Sequence, residues 1–358
     1  MSIKEIAKRT GASQATVSRV LNNPEHRCSD PKLRDKIWKA AMELHYVPNE
    51  AARDLKHGKP GDKQQTYYVQ VLVTRSDVRQ SDPFIEELLR VIESEIHKHL
   101  CILTHVWHKS VFSDERRCKK EDINRIVADL CKETEGNSHG LIIIGKISKH
   151  AIPAIRKHFT NVVAVNRNQL GQQLDEVFCD GRKIAYDAVS YLISQGHEDI
   201  GYVGGCDHEA RFRGYNEALA ANRLEAVSEY IYNVRPTEAE GFRIGQQIME
   251  SEFPPSAVYC ANDIIAVGML KALSRNRRQY QSLSIISSDN IELASQISSM
   301  LTTVALPKEE MGRFAVMLLL DRIEGKHQSE VVMELKGKLL IRESVRKYGD
   351  NDWSDYVI

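Results

Sequence analysis

Ser2-Ile3-Lys4-Glu5-Ile6-Ala7-Lys8-Arg9-Thr10-Gly11-Ala12-Ser13-Gln14-Ala15-Thr16-Val17-Ser18-Arg19-Val20-Leu21-Asn22-Asn23 decides the reading of the N-terminal part of this chain. Ser2 and Glu5 are spaced as a capping box, in which each side chain satisfies an orphan amide at a helix start. Ile3, Ile6 and Ala7 then share one helical face. Gly11 can adopt the left-handed conformation that ends a helix, and Ser13 is a good N-cap for the next one. On that second helix Val17, Val20 and Leu21 recur at helical spacing, which leaves Gln14, Ala15, Ser18 and Arg19 facing outward. Asp30 and Pro31 suit the start of a third helix whose buried stripe is Leu33, Ile37, Ala40, Ala41 and Leu44. Two short helices joined by a Gly turn and backed by a third are the layout of a helix-turn-helix. That layout points to double-stranded DNA as a partner.

The next segment extends the argument. In Tyr46-Val47-Pro48-Asn49-Glu50-Ala51-Ala52-Arg53-Asp54-Leu55-Lys56, Asn49 can cap a helix of about two turns whose Ala51, Ala52 and Leu55 share a face. A helix that short is marginal alone and needs a partner to fold. An apolar Leu55 flanked by Arg53 and Lys56 has the equipment of a minor-groove wedge, the apolar tip unstacking a base step while the cations meet phosphates. The alternative reading is an ordinary linker running on through His57–Gln65.

These motifs, Ala15-Thr16-Val17-Ser18-Arg19-Val20-Leu21-Asn22 and Tyr46-Val47-Pro48-Asn49 with Ala52-Arg53 and Leu55, resemble the headpiece and hinge helix of the lactose/galactose repressor (LacI/GalR) family. The resemblance implies a regulator of transcription that binds a pseudo-palindromic operator as a homodimer under the control of a small-molecule effector, often a sugar. Within it, Gln14, Ala15 and Arg19 are expected at base edges. Arg19 can fork to a guanine, Gln14 can pair with an adenine, and Ala15 can sit against a thymine methyl. Thr16, Ser18 and Asn22 are expected mostly at phosphates, and Arg53 and Leu55 at the minor groove.

Charge agrees with a tethered DNA reader. The 358-residue chain has no net charge, yet residues 1–60 carry twelve Lys and Arg against seven Asp and Glu, so a head of +5 precedes a body of −5. The seven cysteines, at 28, 101, 118, 131, 179, 206 and 260, are odd in number and never form a Cys-x-x-Cys pair, which favours free thiols in a reducing cytoplasm over disulfides or zinc. No apolar signal segment or membrane-length apolar run occurs. A transport-type solute-binding protein would need such a signal and no basic head. A sugar-modifying α/β enzyme is the other alternative. However, Gly201–Gly205 lacks both Gly-x-Gly-x-x-Gly spacing and a phosphate-loop lysine, the histidines lack common metal-ligand spacing, and no Gly-x-Ser-x-Gly elbow is present. Neither catalysis nor a cofactor nor a metal is expected.

From about Tyr67, short apolar runs alternate with amphipathic helices. The expected strands are Val69–Thr74, Ile102–Val106, Leu141–Ile144, Val162–Val165, Ile200–Val203, Ala257–Cys260, Leu283–Ile286 and Thr302–Ala305. Helices such as Phe84–Leu100, Ile184–Gln195, Arg213–Ala221 and Ile264–Ser274 lie between them. Alternation of this kind builds parallel sheets, and eight strands suit two α/β subdomains with a ligand cleft between them. The stretches Val177-Phe178-Cys179-Asp180, Tyr191–Gly205, Cys260-Ala261-Asn262-Asp263, Leu301–Val304 and Glu309-Glu310-Met311-Gly312 resemble the regulatory core of the same family. That core is similar to a periplasmic binding protein with two Rossmann-like halves.

The expected organisation is an all-α headpiece (1–47), a hinge and linker (48–65), a core (66–345) and a tail (346–358) without leucine heptads. The core divides into one half of 66–166 plus 293–325 and another of 167–292 plus 326–345. The resemblance also assigns effector contacts to Phe84, Asn166, Arg211, Asn262, Asp263 and Asp289. An aromatic face for a ring, carboxylates that accept from hydroxyls, and Arg and Asn donors fit a polyol. The pattern differs from that of sugar-binding relatives at Ser287-Ser288, where they have Gly-Phe, and at Leu306, where some have Gln.

Overall fold

The computed structural model describes residues 3–22, 31–43, 66–75, 82–171, 173–207, 209–275, 283–297 and 300–349. They fall into two compact units, one within residues 1–65 and one within 66–358. The expected hinge helix with Arg53 and Leu55, the capping residue Ser2, and most of the tail lie outside the described residues.

The first unit is helical: α1 (Ile3–Thr10), α2 (Gln14–Asn22) and α3 (Pro31–Glu43). Gly11 takes φ +74° and returns its N–H to Ala7 at 3.0 Å, ending α1 in a left-handed turn that suits glycine. Ser13 Oγ accepts from the Thr16 amide at 3.0 Å and caps α2. Ile6, Ala7, Val17, Val20, Leu21, Ile37, Ala40 and Ala41 form the core, as their helical spacing requires.

The second unit is α/β. Its chain runs β1 (Tyr68–Val73), α4 (Pro83–Lys98), β2 (Ile102–His108), α5 (Glu115–Lys120), α6 (Ile123–Glu133), β3 (Gly140–Ile144), α7 (Ile152–His158), β4 (Val162–Asn166) and β5 (Asp175–Cys179). It continues with α8 (Gly181–Ser194), β6 (Ile200–Gly204), α9 (Ala210–Ala221), β7 (Ile231–Asn233), α10 (Glu238–Met249), β8 (Ala257–Cys260) and α11 (Asp263–Arg275). The last elements are β9 (Ser284–Asp289), β10 (Thr302–Ala305), α12 (Lys308–Ile323), β11 (Val332–Leu335) and β12 (Lys338–Leu340). Two six-stranded sheets result, ordered β11-β5-β4-β3-β1-β2 and β12-β10-β9-β8-β6-β7. Every pairing is parallel except β10 with β12.

The first sheet shows why its strands read as continuous apolar runs. Val69, Val71 and Val73 of β1, Ile142 and Ile144 of β3, and Val163 and Val165 of β4 face one core. Leu72, Leu141, Ile143, Val162 and Ala164, alternating with them, face a second core with Phe112, Val127 and Ile155. A parallel sheet covered on both faces needs apolar residues at every position.

The division into halves differs from the expected one. β5 and β11, expected in the second half, complete the first sheet, and β10, expected in the first half, belongs to the second sheet. The chain returns from β4 to β5 within the same sheet and crosses over only afterwards, so Asn166 pairs with Phe178. The segment 293–325 divides internally: β10 pairs with β9, while α12 packs on α4 and on the first sheet. A buried carboxylate fastens this return. Asp175 accepts from Arg322 Nη2 at 2.7 Å, sits 2.9 Å from His327 Nε2, and accepts from the Val331 amide at 2.9 Å.

Candidate nucleic-acid interface and effector cleft

On the helical unit, packing Val17, Val20 and Leu21 inward turns Gln14 and Ala15 to solvent and leaves Thr16 and Ser18 half-buried. The Thr16 hydroxyl lies 2.8 Å from Ser13 Oγ, so it also serves the helix cap. The side chains of Arg19 and Asn22 are outside the described set. Gln14 and Ala15 at the start of a short solvent-facing helix are placed as a helix must be for its first turn to reach base edges in a major groove.

In the second unit the functional side chains gather where strands of both sheets end. Phe84 follows Pro83 in the first turn of α4, which Asp82 caps by accepting from the Phe84 amide at 3.1 Å. Arg167 directly follows β4. Its guanidinium lies 4.2 Å from the Phe84 ring centroid and holds Asp82 in a fork, Nη1 to Oδ2 at 3.1 Å and Nη2 to Oδ1 at 2.9 Å. The same Nη2 lies 3.2 Å from Asp289 at the end of β9 in the other sheet. Asp289 in turn accepts from Arg211 of α9 at 3.0 Å. Arg167, Arg211 and Asp289 are each no more than 3% exposed.

The backbone at Asp289 is unusual. It has φ +122° and Asn290 has φ +51°, a conformation costing of order 1–3 kcal/mol for a non-glycine residue and tending to cluster at ligand sites. Both carbonyls are drawn to Lys308, whose Nζ donates to Asp289 O at 3.3 Å and Asn290 O at 2.6 Å and pairs with Glu87 of α4 at 2.5 Å. Glu87 also accepts from the Glu292 amide at 2.8 Å. Arg167–Asp289 and Lys308–Glu87 with Glu292 therefore join groups from the two sheets' ends.

Burial and charge act together here. Burial opposes the charge on Arg211, but Asp289, together with Tyr259, Glu209 and Tyr202, outweighs it and raises the guanidinium pKa. Arg167 is raised for the same reason by Asp289 and Asp82. Burial likewise opposes ionisation of Asp82, and Arg167, together with Arg75 and the Phe84 amide, overcomes it and holds the carboxyl below its ordinary value.

Of the six expected effector residues, Phe84 and Asn166 line one cleft together with Arg75, Ile144 and Arg167. Asp289 links that group to Arg211. Asn262 and Asp263 are turned to structural partners. Asn262 Oδ1 accepts from the Ile265 amide at 3.3 Å. Asp263 accepts from Ser287 Oγ at 2.5 Å, Thr303 Oγ1 at 2.7 Å and the Ile291 amide at 2.8 Å, tying α11 to β9 and β10. Sequence reasoning missed Arg167, Asp82, Arg75 and Lys308. Arg167 could have been found from its place just past the carboxyl end of a parallel strand, where ligand groups concentrate in open α/β sheets.

Known proteins match along nearly the whole chain. Residues 2–49 match the family described as bacterial regulatory proteins, lacI family, and residues 189–345 match the periplasmic binding protein-like domain. The HTH-type transcriptional repressor CytR of Escherichia coli (strain K12) is 31% identical over 355 residues, covering 96% of each chain. The complex of the transcriptional regulator CelR with cellobiose superimposes with TM-score 0.66 at 22% identity, over 96% of this chain and 99% of that one. A lac repressor dimer bound to operator and the anti-inducer ONPF gives TM-score 0.66 at 21% identity, over 97% of this chain and 99% of that one.

Proposed function

Since this chain belongs to the LacI family of bacterial regulatory proteins, we propose that it represses carbohydrate-utilisation genes by binding a pseudo-palindromic operator as a homodimer under the control of a small-molecule effector. It is a DNA-binding transcriptional regulator. The observation that carries the fuller reading is the pairing, in one chain, of an outward-facing polar helix in a helix-turn-helix with an α/β core of two sheets whose strand ends are joined by buried ion pairs. The repressor role follows the E. coli relative, and the dimer and operator follow the lac repressor complex.

In this reading Gln14, Ala15 and Arg19 read bases, Thr16, Ser18 and Asn22 position the helix on phosphates, and Arg53 and Leu55 act at the minor groove. Phe84, Asn166, Arg211 and Asp289 contact the effector. Asn262 and Asp263 support that surface from behind. The effector changes operator affinity only by binding one arrangement of the core more tightly than another. The chain acts by binding, without catalysis, on chromosomal DNA in the cytoplasm. No helix among the described residues is long and apolar enough to cross a membrane.

The test is capture of fragmented source genome by the purified full chain at moderate salt, followed by sequencing. Discrete pseudo-palindromic peaks upstream of metabolic genes are expected. Uniform recovery of all fragments, with and without cell extract added to supply the effector, would refute sequence-specific regulation.

A further inference from the structure

We infer that the buried ion cluster of Arg167 and Arg211, beside the pocket that Arg167 lines, takes an oxyanion, a carboxylate or phosphate group carried by a small molecule, and that these two guanidiniums are its seat. The inference rests on the reading of this cleft as the effector site and names the chemistry it recognises.

Donors and acceptors in the cleft are unevenly used. Each hydroxyl of a neutral polyol both donates and accepts, whereas an oxyanion only accepts. The aspartates here already accept from protein donors. Asp82 Oδ1 accepts from the Phe84 amide and Arg167, and Oδ2 accepts from Arg167. Asp289 Oδ1 accepts from Arg211, and Oδ2 faces Arg167 at 3.2 Å. Both oxygens of Asp263 accept from Ser287, Thr303 and Ile291. The unmet groups are donors: Arg167 Nε and Arg211 Nε are buried without a hydrogen-bond partner, on side chains 3% exposed. Leaving a buried donor unmet is costly, and more so on a charged group. A ligand rich in acceptors relieves this, and an anion gains additionally from the charge.

Further observations agree. Arg75 lines the same cleft as Arg167, and burial, followed by the nearness of Arg167, pushes its pKa down, as expected where cations crowd. Glu209 and Asp82 act on Arg75 in the opposite sense, so the crowding is offset in part. The Phe84 face, which the sequence reading reserved for a sugar ring, is occupied by the Arg167 guanidinium at 4.2 Å. A sugar acid or sugar phosphate would satisfy both the family reading and this accounting.

The experiment is a thermal-unfolding titration of the full chain with inorganic phosphate, acetate and neutral glucose, each at constant ionic strength set with chloride. At ten times its Kd, one of the two anions should raise the core Tm by roughly 2–5 °C, while glucose at the same concentration leaves it unchanged. Phosphate acting alone indicates a phosphate ligand, and acetate acting alone a carboxylate. Arg167→Lys keeps the charge and removes the fork and its Nε–H, so Kd should rise about tenfold. Arg211→Lys tests the same seat if the first variant does not fold. An anion effect untouched by these variants belongs to the basic N-terminal unit and overturns the proposal. So does a shift from glucose alone, or no shift from either anion. Operator binding is measured separately on the same samples. Arg167-dependent anion binding that leaves operator affinity unchanged keeps the anion site and removes its regulatory role.

Discussion

In the three-helix unit every buried residue described is apolar, and the chemistry faces outward. In the α/β unit the charged groups that define the cleft are themselves buried. Ile6, Val17 and Ile37 only need to be apolar and correctly spaced, and once they are, Gln14 and Ala15 are exposed as a consequence. Arg167, Asp289 and Arg211 must be placed against one another within hydrogen-bond distance, by three segments far apart in sequence. Where recognition is carried by a helix face, the core supports the function without touching it. Where it is carried by buried ions, the site is part of the core, and a change to one is a change to the other.

The sharpest way to break that comparison is Asp289→Ala. It strips the shared carboxylate from Arg167 and Arg211, and leaving buried charges uncompensated costs about 3–5 kcal/mol. The urea midpoint of the α/β unit should fall accordingly. An unchanged midpoint would mean that the ion pairs are dispensable to the core. Ile37→Ala makes the reciprocal change. Ile37 is fully buried, and its truncation costs about 2–5 kcal/mol, a large share of what so small a unit possesses. DNA capture should be lost while the core Tm stays within a degree or so of the parent. A parallel fall in core Tm would show that the units do not melt independently.

Arg19→Ala should leave both folds intact, cost about 1–3 kcal/mol on the operator, and relax specificity at one base pair. Equal weakening on all sequences, measured by competition against scrambled duplexes, would move Arg19 from base reading to phosphate contact. The smallest effect per unit of the variable concerns pH. Burial, with Asp289 nearby, pushes the Asp263 carboxyl up to about 7, against its donors Ser287, Thr303 and the Ile291 amide. The folded protein therefore keeps a proton there that the unfolded chain releases above about pH 4. Its contribution is full in acid and is lost as pH rises to about 7, by up to about 1.4 kcal/mol per pH unit. Urea midpoints of the parent and Asp263→Asn at pH 5, 6 and 7 should converge toward low pH. Parallel curves would show that Asp263 is ionised throughout.

The two units also differed in how far they could be read from sequence. The helices of the N-terminal unit follow from local spacing, Gly11 and Ser13, all within a few residues of one another. All eight expected strands of the core are present, because apolar runs such as Val162–Val165 admit little else. β5 was not read as a strand because it opens with Asp175-Glu176, and what makes an acidic start tolerable there is Arg322, 147 residues away. β7, β11 and β12 are three or four residues long and largely half-exposed, too short for any period to register. The division of the core failed at 167–179 and 302–305 for a related reason, since strand order is set by pairing partners that local pattern does not encode. Around the cleft, Phe84, Arg211 and Asp289 are singled out by family motifs. Arg167 is not, because nothing near it in sequence shows that Asp82 and Asp289 will converge on it.

The central claim is sequence-specific DNA recognition by the N-terminal unit. Its most direct test is fluorescence anisotropy of one captured operator duplex, titrated with the full chain beside the same duplex with its palindrome scrambled, at fixed moderate salt. Binding at least about 10³-fold tighter to the intact palindrome is predicted. Equal affinity for the two, falling together as salt is raised, would reduce the interaction to phosphate attraction and contradict the account.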